Sequence, residues 1–181
     1  MAELKIADPV PLGLAAFGVT LMMLSSANAG LWNGAGGAAV VGTSLFYGGI
    51  VLLLVGLLEF MRGNGFTATV FTSFGAFWLS VWYWLTTPAV QAKGSLGVFL
   101  LMFTIASFVM WICAIKLGTQ LNALFFLLFV TLVLLTLGNW DAGNANMVKT
   151  GGYAGMLTAA LALYLVAKSM INDVWGRKVL P

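Results

Sequence analysis

The sequence predicts an all-α integral membrane protein, six transmembrane helices in one bundle forming a single domain over residues 1–181, and three observations carry that reading. Apolar stretches long enough to cross a bilayer occupy nearly the whole chain, with connecting loops too short for a soluble domain. Hydrophobic residues make up 61% and charged residues 7%, with a mean hydropathy of +1.03, so a water-soluble fold would have no surface to offer the solvent. The eight Lys and Arg fall at the ends of those stretches. A hydrocarbon core of ~30 Å needs about 20 residues of helix, and the candidate spans are Pro9–Gly30, Gly34–Met61, Phe66–Thr86, Gly94–Lys116, Thr119–Gly138 and Met147–Asn172.

The first span opens at Asp8-Pro9, where Asp8 suits the N-cap and Pro9 the first helical position, since its missing N–H costs nothing there. A signal peptide is the rival reading of this end: Lys5, the run Leu12–Leu24 and Ala27-Asn28-Ala29 mimic its three regions. Glu3 and Asp8 dilute the basic region, and cleavage would leave an odd number of spans with the termini on opposite sides. In the second span Gly34, Ala38 and Gly42 recur at four-residue intervals, as Gly151 and Gly155 do in the last, and small residues at that spacing let helices approach closely. Glu59 ends the second span three residues before Arg62, a spacing that suits an interfacial ion pair. Trp82, Tyr83 and Trp84 close the third span as an interfacial aromatic belt. Tight glycine-rich turns, Gly63-Asn64-Gly65 and Gly138 to Gly143, join the third span to the second and the sixth to the fifth.

Charge sets the orientation. With the N-terminus inside, Lys5, Arg62, Lys116, Lys168, Arg177 and Lys178 are cytoplasmic against Lys93 and Lys149 outside, which predicts both termini in the cytoplasm. The net charge of +3 therefore reads as topology in a lipid bilayer, not as nucleic-acid binding.

What is missing narrows the function. One cysteine, Cys113, and no histidine exclude an internal disulfide, histidine-ligated haem or zinc, and a Ser-His-Asp or Cys-His nucleophile system, so no enzyme, cofactor or metal site is expected. No Asp, Glu, Lys or Arg sits in the middle of a span, where a proton relay would show itself. Hydroxyl and amide side chains are instead scattered through the spans, among them Thr20, Ser25, Ser26, Asn28, Thr72, Ser73, Ser80, Thr131 and Thr136. Each could bond the carbonyl a turn earlier; together they suit a path for a small polar solute.

The block Ala7-Asp8-Pro9-Val10-Pro11-Leu12-Gly13-Leu14 resembles the N-P-A-P-L-G-L signature of the acetate uptake transporter family, the succinate-acetate permease group. Phe46-Tyr47-Gly48-Gly49, Gly56-Leu57-Leu58-Glu59, Phe71 to Trp78, Gly138-Asn139 with Ala142-Gly143-Asn144, and Gly176 to Pro181 are similar to that family's further blocks, in order along essentially the whole chain. The resemblance implies a homohexamer like the proton-gated urea channels, with one path per protomer for acetate and, in some members, succinate. It also implies a narrow apolar constriction from a Phe, a Tyr and a Leu on the first, third and fifth helices, which fall here on Phe17, Phe74 and Leu128, the tyrosine being replaced. Counting depth supports that transfer: Phe17 lies eight residues beyond Pro9, Phe74 eight beyond Phe66 and Leu128 nine beyond Thr119, or ~12–14 Å into spans that all enter from the cytoplasm. Asp8 stands where the signature has Asn, adding a negative charge near the pathway mouth that disfavours a dianion.

The expectation is thus a permease or channel for acetate and similar short monocarboxylates, proton-linked in net effect. Phe17, Phe74 and Leu128 form the constriction, Thr20, Asn28, Tyr47, Ser73 and Thr131 contribute to the substrate path, and Asp8, Pro9, Pro11 and Glu59 belong to the mouth or signature. A urea or ammonia channel and a non-transporting membrane scaffold are the alternatives.

Overall fold

A computed structural model describes residues 6–32, 35–140 and 143–181; Gly34, Lys5 and Asp141-Ala142, which entered the reading above, lie outside them. The described chain is helical: α1 (Val10–Asn28), α2 (Ala35–Leu45), a π-helical turn (Phe46–Val51), α3 (Leu52–Met61), α4 (Gly65–Thr86), a 3₁₀ turn (Pro88–Val90), α5 (Ser95–Ala114), α6 (Thr119–Gly138) and α7 (Ala145–Val174). Five helical stretches are long and apolar enough to cross a membrane: Val10–Asn28, Gly37–Met61, Ser95–Ala114, Thr119–Gly138 and Ala145–Val174. The one expected span not among these five, the third at Phe66–Thr86, corresponds to α4, which has a span's length at 22 residues. Its Thr and Ser residues and the Trp and Tyr of its last turns lower its hydropathy below that of the others.

The expected second span is one helical rod interrupted by the π-turn. Phe46–Val51 widens the backbone where Gly48 and Gly49 must pass other elements: a Cβ at Gly48 would lie 2.8 Å from both Thr20 Cγ2 and Trp78 Cγ, and at Gly49 it would strike Leu79. α1 begins one residue later than expected, with Pro9 as the capping residue and Asp8 Oδ1 accepting the Val10 N–H at 3.3 Å.

Glycines set how the helices pair. Gly18 meets Ala162 and Leu163, while Gly152 and Gly155 meet the Ser25–Ala29 end of α1, so α1 and α7 run antiparallel in close contact. Gly56 against Thr72 and Gly75 against Leu53 pair α3 with α4 in the same manner. Thr104–Thr136 joins α5 to α6 at 2.9 Å and Thr131–Thr158 joins α6 to α7 at 3.1 Å. α4 reaches α5 through aromatic rings, Phe77 stacking on Phe99 at 5.2 Å and meeting Phe103 edge to face at 4.9 Å. The bundle is therefore a ring of helices around a buried core of Phe17, Phe71, Phe74, Phe77, Trp78, Leu128 and Leu132.

Gly151 and Gly155 pack inside the bundle, against Leu135 and Ser25. Ala38 and Gly42 lie on its exterior, with open space at Gly42. The aromatic belt divides: Tyr83 is exposed, whereas Trp84 is half-buried, its Nε1 3.4 Å from Ser95 Oγ.

Candidate functional site

α1, α4 and α6 each bring an apolar side chain to one level. Phe17, Phe74 and Leu128 are all buried, and Phe17 meets Phe74 edge to face with ring centroids 5.7 Å apart. Phe74 in turn touches Phe77 at 5.9 Å and Phe103 at 6.2 Å, so its ring is braced from α4 and α5 and has little rotational freedom.

A cavity lies on each side of this level. One, of about 210 Å³, is walled by the N-terminal halves of α1, α4 and α6, including Val10, Leu14, Phe66, Phe71, Leu121 and Phe125. The other, of about 130 Å³, is walled by their C-terminal halves and by α5, including Leu21, Asn28, Trp78, Trp84, Thr131 and Asn139. Phe17, Phe74 and Leu128 line both cavities, and no other described residue does. The first cavity is almost wholly apolar, Thr67 apart; the polar side chains gather in the second. Both cavity surfaces are mainly apolar, with Thr67 the polar side chain of the first and Asn28, Thr131 and Asn139 those of the second.

Beside the first cavity's N-terminal rim lies a cluster of charges. Arg62 Nη1 is 2.6 Å from Asp8 Oδ1 and 2.6 Å from Glu59 Oε1, and Asn64 Nδ2 donates to Glu59 Oε2 at 2.9 Å. Glu59 is fully buried, with both carboxylate oxygens satisfied. The hydrogen bond to Asp8, and less strongly the one to Glu59, holds the Arg62 guanidinium above its ordinary value against the opposing effect of burial. At the start of α1, Pro9, between the bonded pair Asp8 and Val10, is buried, and Pro11, next after Val10, is half-buried.

The polar path residues expected from sequence divide. Asn28 and Thr131 line the second cavity. Thr20 lines neither cavity: it is buried against Gly48, its hydroxyl donating to the Ala16 carbonyl at 2.8 Å. Tyr47 packs against the core from the π-turn, and Ser73 is half-buried on α4; neither lines the two cavities. Sequence reasoning missed Trp78 and Asn139. Asn139 was visible only as part of a turn, and its amide donates to the Leu135 carbonyl at 2.8 Å. Trp78 stood in a run of aromatics that reads equally well as core.

Membrane-length helices that enclose two cavities end to end, parted by one apolar ring, define a membrane channel or permease. The chain belongs to the GPR1/FUN34/yaaH family, whose profile matches residues 1–175. It is 37% identical over 186 aligned residues to the succinate-acetate/proton symporter SatP of Escherichia coli K12, an alignment covering all of this chain and 97% of that protein. It is also 37% identical over 171 residues to ammonia transport outward protein 2 of Saccharomyces cerevisiae, covering 88% of this chain and 60% of that protein. Its fold superposes on the solved structure of the bacterial acetate channel SatP with a TM-score of 0.90 at 36% identity, covering 98% of this chain and 99% of that one.

Proposed function

We propose that each protomer carries acetate and similar short monocarboxylates between the two cavities through the ring of Phe17, Phe74 and Leu128. The observation that carries this reading is that, among the described residues, these three alone are common to both cavities. In the same reading α4 is the remaining span of six, both termini are cytoplasmic, the first cavity opens to the cytoplasm of an inner-membrane protein, and the protomers form a homohexamer.

The ring's chemistry sets the transported form. None of its three side chains carries a donor or acceptor, and stripping an ionised carboxylate of water there costs several kcal/mol or more, whereas the neutral acid loses much less. The proton therefore crosses on the substrate. That accounts for proton-linked uptake in a chain whose sequence has no histidine and no Asp, Glu, Lys or Arg in the middle of a span.

Purified protein in liposomes, given labelled acetate with and without an imposed pH gradient, tests the reading. Protein-dependent uptake that rises with external acidity is the expected result, and no flux above empty liposomes overturns it. The apolar ring would equally pass neutral ammonia, the solute named for the yeast relative. Competition distinguishes the two: propionate inhibits labelled acetate uptake in the first case, and neither propionate nor acetate affects ammonia flux in the second.

A further inference from the structure

Three buried side-chain polar atoms among the described residues have no hydrogen-bond partner: Ser25 Oγ, Thr72 Oγ1 and Trp78 Nε1. Close helix packing accounts for two of them. Ser25 Oγ faces Gly155 where α1 crosses α7, and Thr72 Oγ1 faces Gly56 where α3 crosses α4, and neither residue lines the cavities. Trp78 differs. Its indole is 1% exposed, and it forms part of the wall of the second cavity. A buried indole N–H ordinarily finds an acceptor within the protein.

We propose, building on the reading of the chain as a monocarboxylate pathway, that the Trp78 indole N–H is a solute-binding donor, giving its hydrogen bond to a carboxyl oxygen on the α4 C-terminal side of the ring. Trp78 follows Phe74 by four residues, about one turn or ~6 Å along α4, which is one small-solute length from the ring. Its indole is held in place. Phe77 meets it edge to face at 5.3 Å, and only a glycine at position 48 leaves room for Trp78 Cγ on the other element. The π-turn thus serves the site, because it brings the Gly48 backbone to Trp78.

The donor type suits a solute that changes protonation state. An indole N–H neither ionises nor accepts, so it serves the carboxylate and the carbonyl oxygen of the neutral acid alike. Thr131, in the same wall, is already engaged, its hydroxyl donating to the Leu127 carbonyl at 2.7 Å and lying 3.1 Å from Thr158 Oγ1, so Trp78 Nε1 is the donor left open there. The ring itself offers no donor, so the last hydrogen bond a solute accepts from a tryptophan before crossing is made here.

The test is direct observation of the indole. Uniformly ¹⁵N-labelled protein in nanodiscs displays one indole N–H signal for each of its seven tryptophans, and Trp78→Phe identifies the relevant one by its disappearance. Should that variant fail to fold, substituting the other six in turn identifies it by elimination. The expected result is a saturable shift of the Trp78 signal on titration with sodium acetate, absent with sodium chloride and with ammonium chloride. Trp78→Phe should weaken the apparent affinity for acetate in liposome flux by roughly tenfold, the scale of one lost hydrogen bond to a charged or polar solute. A Trp78 signal unmoved at acetate concentrations that saturate flux overturns the inference while leaving the transport reading intact. A signal that moves equally with chloride overturns it as well.

Discussion

Phe17 and Phe74 meet edge to face across the α1–α4 gap, with ring centroids 5.7 Å apart and planes inclined at 69°. Both residues line the two cavities, as does Leu128 from α6, and in the proposed pathway the bulk of these side chains sets the aperture. Leu128→Ala removes the only aliphatic member and should relax size selection, raising flux of propionate and butyrate relative to acetate. Relative initial rates in liposomes measure this; an unchanged ratio places the selecting aperture elsewhere. Because Leu128 is buried, the variant should also lose roughly 2–5 kcal/mol of stability, which a milder Leu128→Val limits while still opening the ring.

Phe74→Tyr adds a hydroxyl at the ring without changing its size. A hydrogen bond to a charged group is worth roughly 1.5–3 kcal/mol, so a donor at that level should lower the penalty on the anion. The expected outcome is flux that falls less steeply with rising pH than in the parent. The measurement is acetate uptake with pH and total acetate varied independently and the membrane potential clamped. Parent flux that follows total acetate, not acetic acid, would sink the neutral-acid mechanism altogether.

Much of this was legible in the sequence because depth in a membrane helix can be counted. Once spans start at similar levels, eight or nine residues of rise bring Phe17, Phe74 and Leu128 together whatever the details of packing. Rotation about the helix axis could not be counted in that way. Nearly every face of these helices is apolar, so no hydrophobic periodicity shows which residues face inward; Thr20 and Ser73, whose hydroxyls suit a path in the sequence, line neither cavity. The π-turn was hidden for a related reason. Phe46 to Val51 has ordinary helical composition, and only the close approach of Thr20, Trp78 and Leu79 to its two glycines shows why the backbone widens there. From sequence Asp8 reads as a cap and a negative charge near the mouth; its ion-pair partner, Arg62, lies 54 residues away, beyond the reach of local pattern.

Two glycines separate packing inside the protomer from packing outside it. A Cβ at Gly152 would lie 2.5 Å from the Ala29 nitrogen and 2.7 Å from the Ser25 carbonyl oxygen, backbone atoms that cannot step aside. Gly152→Ala should therefore cost at least the 1–3 kcal/mol typical of overpacking, roughly, and lower the detergent melting temperature. Gly42 has nothing within 4 Å, so Gly42→Ala should leave melting unchanged in dissociated protomers. A mild-detergent mass measurement on Gly42→Leu then asks whether that open face meets another copy; loss of the oligomer with an unchanged protomer melt is the expected result.

The Asp8–Arg62–Glu59 cluster offers a test of which charge the fold requires. Arg62 serves two carboxylates in different surroundings: the Asp8 side chain is 55% exposed, Glu59 fully buried. Exposed ion pairs contribute little, because water screens them, while a buried carboxylate deprived of its cation is left charged in a low-dielectric site. Asp8→Asn keeps an oxygen to accept the Val10 N–H and keeps the Arg62–Glu59 pair, so it should shift melting only slightly. Arg62→Gln strands Glu59 with Asn64 alone and should lower melting markedly, and adding Glu59→Gln to it should restore much of the loss. Held above its ordinary value, the guanidinium stays charged throughout the working pH range, and what it contributes is lost only as pH rises past that raised value, so the ranking should hold from neutral to mildly alkaline pH. Melting curves of the three variants decide the matter. Equal losses from Asp8→Asn and Arg62→Gln, or no recovery in the double variant, would show that the tie between α1 and the α3–α4 turn, not compensation of the buried Glu59, is what Arg62 provides.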